Sequence, residues 1–294
     1  MAAPDTHVHD LLIVGTGPAG VSCALEAARQ GLEFLFVGDE PVGGLVPAAR
    51  RIDNLAGLPG IAGRELAGRL AAQLVGRGVA ARRGRVVALR RERDLFHAAL
   101  DDGERLVSRT VCLAVGTVPR AWAPAGGREV PRDARAWPAE LAELRAVVVG
   151  GGEAALDTAL TARDRGARVV VLVRGAAPRG SPALLAETRR LGVELRCGVE
   201  VTALGGEAGA WHVELADGSR VDAELLAVCI GREPRSDLLA GLGLRGLEPD
   251  VLQPAVPGLF CAGDLIRGRE RYVATALGDG QRAALEARAY VGRK

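Results

Sequence analysis

Lysine is nearly missing from this 294-residue chain: among 38 basic residues only Lys294 is a lysine, and arginine supplies the rest. The bias reads as codon usage in a GC-rich genome. It does not read as a nucleic-acid patch, because the formal net charge is only +2 and no large field recruits a polyanion. Arginine-rich stretches such as 82–93 are therefore expected to be solvated surface. Long hydrophobic runs are also absent. The apolar run after Asp10 stops at Gly15, far short of the ~20 residues that a membrane span needs. Residues 1–10 include His7 and His9 but no basic n-region of a targeting segment. The expectation is a cytoplasmic protein with neither membrane nor nucleic acid as a partner. The five cysteines, Cys23, Cys112, Cys197, Cys229 and Cys261, are odd in number, and no two lie within 30 residues of each other. That spacing suits neither a disulfide framework nor a metal-ligand cluster, so no metal is expected.

Glycine, by contrast, is abundant at 40 residues, and the 48% hydrophobic content suits an α/β chain with many tight turns. The length has room for about two domains. Two glycine fingerprints stand 135 residues apart: Gly15-Thr16-Gly17-Pro18-Ala19-Gly20 and Gly150-Gly151-Gly152-Glu153-Ala154-Ala155. Each follows a short apolar run, 11–14 or 147–149, and opens a helical stretch. A strand, a tight glycine turn and a helix N-terminus hold a pyrophosphate against free backbone N–H groups and the positive end of the helix dipole. Two such motifs in one chain imply two dinucleotides and electron transfer between them.

The fingerprints head two halves with one plan. In the first, a helix over 18–30 closed by Gly31 leads to a strand at 34–37. In the second, a helix over 153–165 capped by Gly166 leads to a strand at 169–173. Hairpins follow at Asp102-Gly103 and Asp217-Gly218, 115 residues apart, as are Gly116 and Gly231 at the ends of apolar runs. About 20 extra residues in the first half, around 38–63, are expected to wrap the first cofactor. His97 and His212 sit six residues before each turn glycine, and this repetition points to structural roles for both. After Gly231 no third unit begins. A strand ending in Gly263-Asp264 and a helix from about 273 to 290 would complete the first sheet, with the second nucleotide domain inserted into the first.

On these residues the chain resembles the low-molecular-weight thioredoxin reductases, the class II pyridine nucleotide-disulfide oxidoreductases. The matching pieces are Gly15–Gly20, Gly43-Gly44, Asp53-Asn54, Ala114-Val115-Gly116, Gly150–Ala155, Gly231–Pro234, Gly258–Asp264 and the helix through Leu285. The resemblance implies two Rossmann-like, three-layer ββα domains: 1–116 and 234–294 for FAD, and 117–233 for NAD(P). It places FAD on Gly15, Gly17, Pro18, Ala19, Gly20, Gly43, Gly44, Leu45, Asn54, Gly116, Gly263, Asp264, Arg271, Tyr272 and Val273. It places NAD(P) on Gly150, Gly152, Glu153, Ala154 and Gly231. A carboxylate after the second strand would bind the adenosine ribose. Asp39 is the candidate, or else an ordinary loop carboxylate. The family's relatives are commonly homodimers, and their nucleotide domain turns about hinges that would here be 116–119 and 231–234.

After the strand at 169–173 come Arg174 and Arg179, where the family's NADPH pattern has two adjacent arginines and a third. Gly175 replaces the middle one, and losing one charge-assisted pair removes ~1.5–3 kcal/mol of phosphate recognition. NADPH is therefore the expected donor, with weak discrimination against NADH. The family's Cys-x-x-Cys should fall within 130–141, and no cysteine is there. The expected activity is FAD-dependent NAD(P)H oxidation, with reduced flavin delivering electrons directly to an external acceptor of ferredoxin or flavodoxin type. Disulfide reduction through a single cysteine or directly by the flavin, and a non-enzymatic flavin-binding sensor, stay open. No side chain is assigned as a catalytic acid or base, since the flavin itself carries the chemistry. Cys23, in the first turns of the flavin helix, is either a thiol activated by the helix dipole or a core filler. Cys112, Cys229 and Cys261 read as core residues and Cys197 as structural. Tyr272 either covers the isoalloxazine face or fills core.

Overall fold

The structure is a computed structural model and describes residues 7–293; the remaining ends of the two expected outer segments, with Lys294, lie outside the described residues. In chain order the first elements are β1 (Val8–Val14), α1 (Pro18–Arg29), β2 (Phe34–Gly38), α2 (Gly63–Gly76), β3 (Arg82–Arg83), β4 (Val86–Glu92), β5 (Leu95–Leu100), β6 (Arg105–Leu113) and β7 (Thr117–Pro119). There follow β8 (Arg145–Val149), α3 (Glu153–Asp164), β9 (Arg168–Val173), α4 (Pro182–Arg190), β10 (Glu194–Cys197), β11 (Val201–Glu207), β12 (Ala210–Leu215), β13 (Arg220–Ala223) and β14 (Leu225–Val228). The chain closes with β15 (Arg232–Pro234), β16 (Leu259–Cys261) and α5 (Val273–Val291). They form an α/β fold of two compact units. Among the described residues, one contains the chain up to Pro47, Asp53–Val118 and the stretch from Glu233 onward; the other contains Ala48–Ile52 and Pro119–Arg232.

The first unit is built on a sheet of order β3-β2-β1-β6-β5-β4, with β16 also paired to β6. Residues 11–14 of β1 are buried on both faces, which is why they read as an unbroken apolar run. β1 starts three residues earlier than expected. Val8 and His9 already pair with Val107 and Ser108, and the polar His9 and Asp10 hid this extension from the apolar pattern. β6 has two jobs: its first half pairs antiparallel with β5, and its second half lies between β1 and β16. Helix α1 presents Ala19, Gly20, Val21, Cys23, Ala24 and Ala27 to the interior, a face made almost wholly of small side chains. That lets α5 approach very closely: a Cβ added to Gly280 would stand 1.9 Å from the backbone oxygen of Ala19.

The second unit repeats the plan with a parallel sheet, β10-β9-β8-β14, and an antiparallel one, β11-β12-β13. One face of the parallel sheet packs Ala155, Ala159 and Leu160 of α3 together with Ala134, Trp137 and Leu141. The other face packs on Leu204, Trp211, Val213 and Leu215 of the antiparallel sheet. The two Asp-Gly hairpins are equivalent, with Gly103 at φ +88° and Gly218 at φ +82°. His212 lies across Gly205, so near that a Cβ there would meet its ring, and His97 pairs with Val107 in β5. Both histidines serve strands. Arg82 and Arg91, within the arginine-rich stretch, form ion pairs with Asp102, Glu104 and Asp94.

The short piece Ala48–Ile52 grouped with the second unit was not anticipated. Its Arg50 N–H donates to Asp157 at 2.8 Å, and the Arg50 and Arg51 guanidiniums pair with Glu187 at 3.2 and 3.1 Å. Arg50 also pairs with Asp164. Burial pushes the Asp157 carboxyl up to about 6 despite these partners.

Two outcomes follow from this packing. Gly280→Ala should lower stability by about 1–3 kcal/mol in urea unfolding, because α5 must back away from α1. Gly278→Ala, where a Cβ meets nothing within 4 Å, should instead raise it by up to ~1 kcal/mol. Asp157 is protonated more readily folded than unfolded, so its ionisation subtracts stability as pH rises from about 4 to 6. Asp157→Asn should therefore stabilise the protein by roughly 1–2 kcal/mol at pH 7 and have little effect below pH 4, read from urea midpoints across that range.

Candidate functional site

In the first unit the loop between β1 and α1 is closed by backbone contacts. Gly15 donates to Val37 O at 2.8 Å, and its Cβ position, at φ +110°, would lie 2.3 Å from Ala114 O. A Cβ at Gly20 would strike Gly15 O at 1.8 Å, so the third glycine lets the helix press on the turn. Gly17 differs: nothing lies within 4 Å of its Cβ position. It is the N-cap of α1, no side chain caps that helix, and Pro18 starts it without an N–H to satisfy. The helix thus begins with no side-chain cap and with open space beside Gly17, an arrangement that suits a pyrophosphate.

Other expected residues gather on this loop. Gly43 donates to Thr16 O at 2.8 Å, and Gly44 passes so near that its Cβ would be 3.2 Å from Gly17 Cα. Thr16, buried and not singled out from sequence, ties the loop by donating to Glu40 O at 2.7 Å. Asp39 follows β2 directly and is exposed, and it faces Arg235 at 3.7 Å. Leu45 and Asn54 are exposed, while Gly116 accepts from Arg235 N–H at 3.0 Å. The 263–264 turn follows β16, and a Cβ on Gly263 would be 2.9 Å from the Cβ of Ala19. Arg271 donates to Arg267 O at 3.0 Å. Tyr272 is the N-cap of α5 and is 43% exposed, which removes the core-filling alternative. Val273 begins the helix, and Thr275 accepts from Tyr272 N–H at 3.2 Å. The loop, the Gly43-Gly44 segment and the Gly263 turn therefore share one patch of backbone. These donors and open spaces fit an FAD pyrophosphate.

The second loop repeats the geometry. Gly150 donates to Leu172 O at 2.9 Å, its Cβ would be 2.2 Å from Cys229 O, and Gly152 has open space. Gly152 caps α3 with no side chain, and Ala155 takes the third position, fully buried. Ala154 sits in the first turn. The carboxylate of Glu153 accepts from Ser181 N–H at 3.1 Å, so this side chain orders the α4 entrance. Arg179 N–H donates to Gly151 O, which brings Arg179 beside the loop, and Arg174 directly follows β9; both side chains are exposed. Gly231, at φ +105°, accepts from Arg120 N–H. The loop fits a second dinucleotide.

The thiols are free, and Cys23, Cys112 and Cys261 are core residues. Cys23 is completely buried, and its thiol, together with burial, pushes the Cys112 thiol well above the usual range. Residues 89 apart in the chain are thus neighbours in the core. Burial raises Cys261 strongly too, and Cys229 is pushed up to about 11 while it donates to Arg132 O at 3.2 Å. Cys197, expected to be structural, is exposed at the end of β10. The 130–141 segment is not an open loop: Val130, Ala134, Trp137 and Leu141 are buried in the second unit.

The family pattern described as pyridine nucleotide-disulphide oxidoreductase matches residues 9–280. Thioredoxin reductase of Mycolicibacterium smegmatis is 28% identical, covering 98% of each chain. A ferredoxin--NADP reductase of Thermus thermophilus is also 28% identical, over 99% of this chain and 94% of its own. The solved thioredoxin reductase of Lactococcus lactis superposes with a TM-score of 0.87 at 23% identity, covering 97% of this chain and all of its own. Among the described residues no helix is long and apolar enough to cross a membrane.

The two loops should be separable. Gly17→Ala, whose Cβ meets no protein atom within 4 Å, should weaken FAD binding about tenfold or more with the melting temperature of the flavin-free protein little changed. Gly152→Val should leave flavin content intact and raise the KM for the nicotinamide donor by about as much. Flavin absorbance after gel filtration and steady-state kinetics read the two effects.

Proposed function

As a member of the pyridine nucleotide-disulphide oxidoreductase family, the chain is an FAD-dependent NAD(P)H oxidoreductase, and we propose that it passes electrons from reduced flavin directly to an external acceptor. The observation that carries this reading is the state of the 130–141 segment. It holds no cysteine, and Val130, Ala134, Trp137 and Leu141 anchor it in the second unit. A sulfur relay needs an accessible thiolate with a resolving partner. Cys23, the cysteine nearest the first loop, is shut in the core beside another thiol of raised pKa.

FAD supplies the two-electron chemistry when bound. The protein's share is position. The first turn of α1 would hold the FAD pyrophosphate, and Asp264, Arg271, Tyr272 and Val273 would line the flavin end, with Asp39 toward the ribose. The first turn of α3 would hold the donor's pyrophosphate. Residues 1–116 and 234–294 would act as the FAD domain and 117–233 as the donor domain. NADPH is the proposed donor: residues 174–179 carry two arginines and no carboxylate, and a guanidinium recognises a 2′-phosphate where a carboxylate would favour a 2′-hydroxyl. The proposed acceptor is a small redox protein of ferredoxin or flavodoxin type, in keeping with the ferredoxin--NADP reductase among the relatives, and the proposed assembly is a homodimer in the cytoplasm.

Anaerobic stopped-flow mixing is the direct test. Flavin absorbance should bleach on mixing with NADPH, and more slowly with NADH. Arg174→Ala and Arg179→Ala should each raise KM for NADPH about tenfold while leaving NADH unchanged. A panel of acceptors should then show turnover with one-electron proteins or dyes, unaffected by Cys23→Ser. Disulfide turnover abolished by Cys23→Ser would overturn direct transfer, and a flavin that stays unbleached would overturn the oxidoreductase reading.

A further inference from the structure

The sequence marks Gly263-Asp264, yet the groups that hold this turn lie elsewhere. Asp279, in the middle of α5, is 3% exposed, and its Oδ2 accepts from Gly263 N–H at 3.2 Å. The same oxygen accepts from Arg267 Nε at 3.0 Å, and Oδ1 accepts from Arg267 Nη2. The remaining arm of Arg267 donates to Asp250 at 2.7 Å. Removing one partner from a buried ion pair strands an uncompensated charge, so carboxylate and guanidinium depend on each other. The network also touches the first fingerprint. Gly263, at φ +71°, rests on Ala19, and Gly280, next to Asp279, rests on the Ala19 carbonyl. Two separate parts of the chain, the 263–264 turn and α5, are thereby set against one residue of the first turn of α1.

We infer that Asp279, with Arg267, is the positioning residue of the FAD site. It fixes the Gly263 peptide so that Asp264 is presented in register with the open first turn of α1, without itself contacting the cofactor. This rests on the assignment of FAD to that loop. Arg267 has a second effect: it neutralises a buried carboxylate that would otherwise add negative charge behind a site meant for a pyrophosphate. The pair therefore governs FAD affinity through geometry and charge together, and it has no reason to affect the second loop.

The test uses purified holoenzyme. The FAD dissociation constant is measured from the fluorescence of flavin released on dilution, alongside the NADP⁺ dissociation constant and the thermal unfolding of each variant. Asp279→Ala and Arg267→Gln should raise the FAD dissociation constant about tenfold or more, with NADP⁺ binding changed less than about twofold. Asp279→Asn keeps an acceptor for Gly263 N–H but loses the ion pair, so it should fall between these and wild type. A role in stability alone would lower the melting temperature and leave the FAD constant of the folded fraction unchanged. Folded Asp279→Ala with an FAD constant within about twofold of wild type overturns the inference. Should that variant fail to fold, Arg267→Gln at the edge of the network decides it by the same criterion. A wild-type protein that takes up no FAD overturns the cofactor assignment itself, which separates the two failures.

Discussion

Two helices among the described residues start on a glycine N-cap with no side chain to cap them, and most of the architecture serves that condition. Both α1 and α3 begin on a glycine, whereas α4 begins on Ser181, whose hydroxyl accepts from Leu184 N–H. A glycine N-cap costs a helix only roughly a few tenths of a kcal/mol but leaves its first N–H groups in want of a partner. Each unit has one helix that begins this way, and at that helix the neighbouring backbone is packed to van der Waals limits. Ala114 O and Gly15 O crowd the first loop, and Cys229 O crowds the second. The crowded sides leave the loop one conformation, and the open side leaves it one kind of ligand: a long anion with several acceptor oxygens.

The same condition explains what could be read from the sequence. Glycines required by close backbone approach recur at fixed spacing, so the fingerprints, the hairpins and the repeat of the two halves were legible. The α5 helix was legible because its small residues keep helical spacing from Val273 on. Side-chain partnerships across distant segments were not. Asp279 looks like an ordinary polar residue until its neighbours Ala276, Gly280 and Ala283 prove buried, which sets it on the inner face of the helix. That periodicity was available as a signal. No spacing rule could have paired Cys23 with Cys112, because the contact exists only once α1 lies over β6. Ala48–Ile52 falls in the same class: its arginines find Asp157, Asp164 and Glu187 through tertiary structure alone.

The 130–141 segment shows how a redox element can give way to packing. An accessible dithiol needs an exposed stretch with flexible backbone. Here Trp137 and Leu141 lie against Ala146, Val148 and Ala159, and the Arg165 guanidinium donates to the carbonyls of Ala134, Trp137 and Pro138. Fastening three carbonyls with one cation suits a structural strap. The charge on Asp133 is likewise engaged, paired with Arg135 at 3.0 Å.

The proposed transfer without a relay would shift the burden of specificity. A protein dithiol selects its partner by reduction potential and thiol pKa, which are local properties of two sulfurs. A flavin that reacts directly selects by what can approach it. The groups proposed to control approach are Tyr272, exposed at the start of α5, and Leu45, exposed beside Gly44. In the proposed direct transfer, a partner that covers both would bury the apolar surface of Leu45 and the ring of Tyr272.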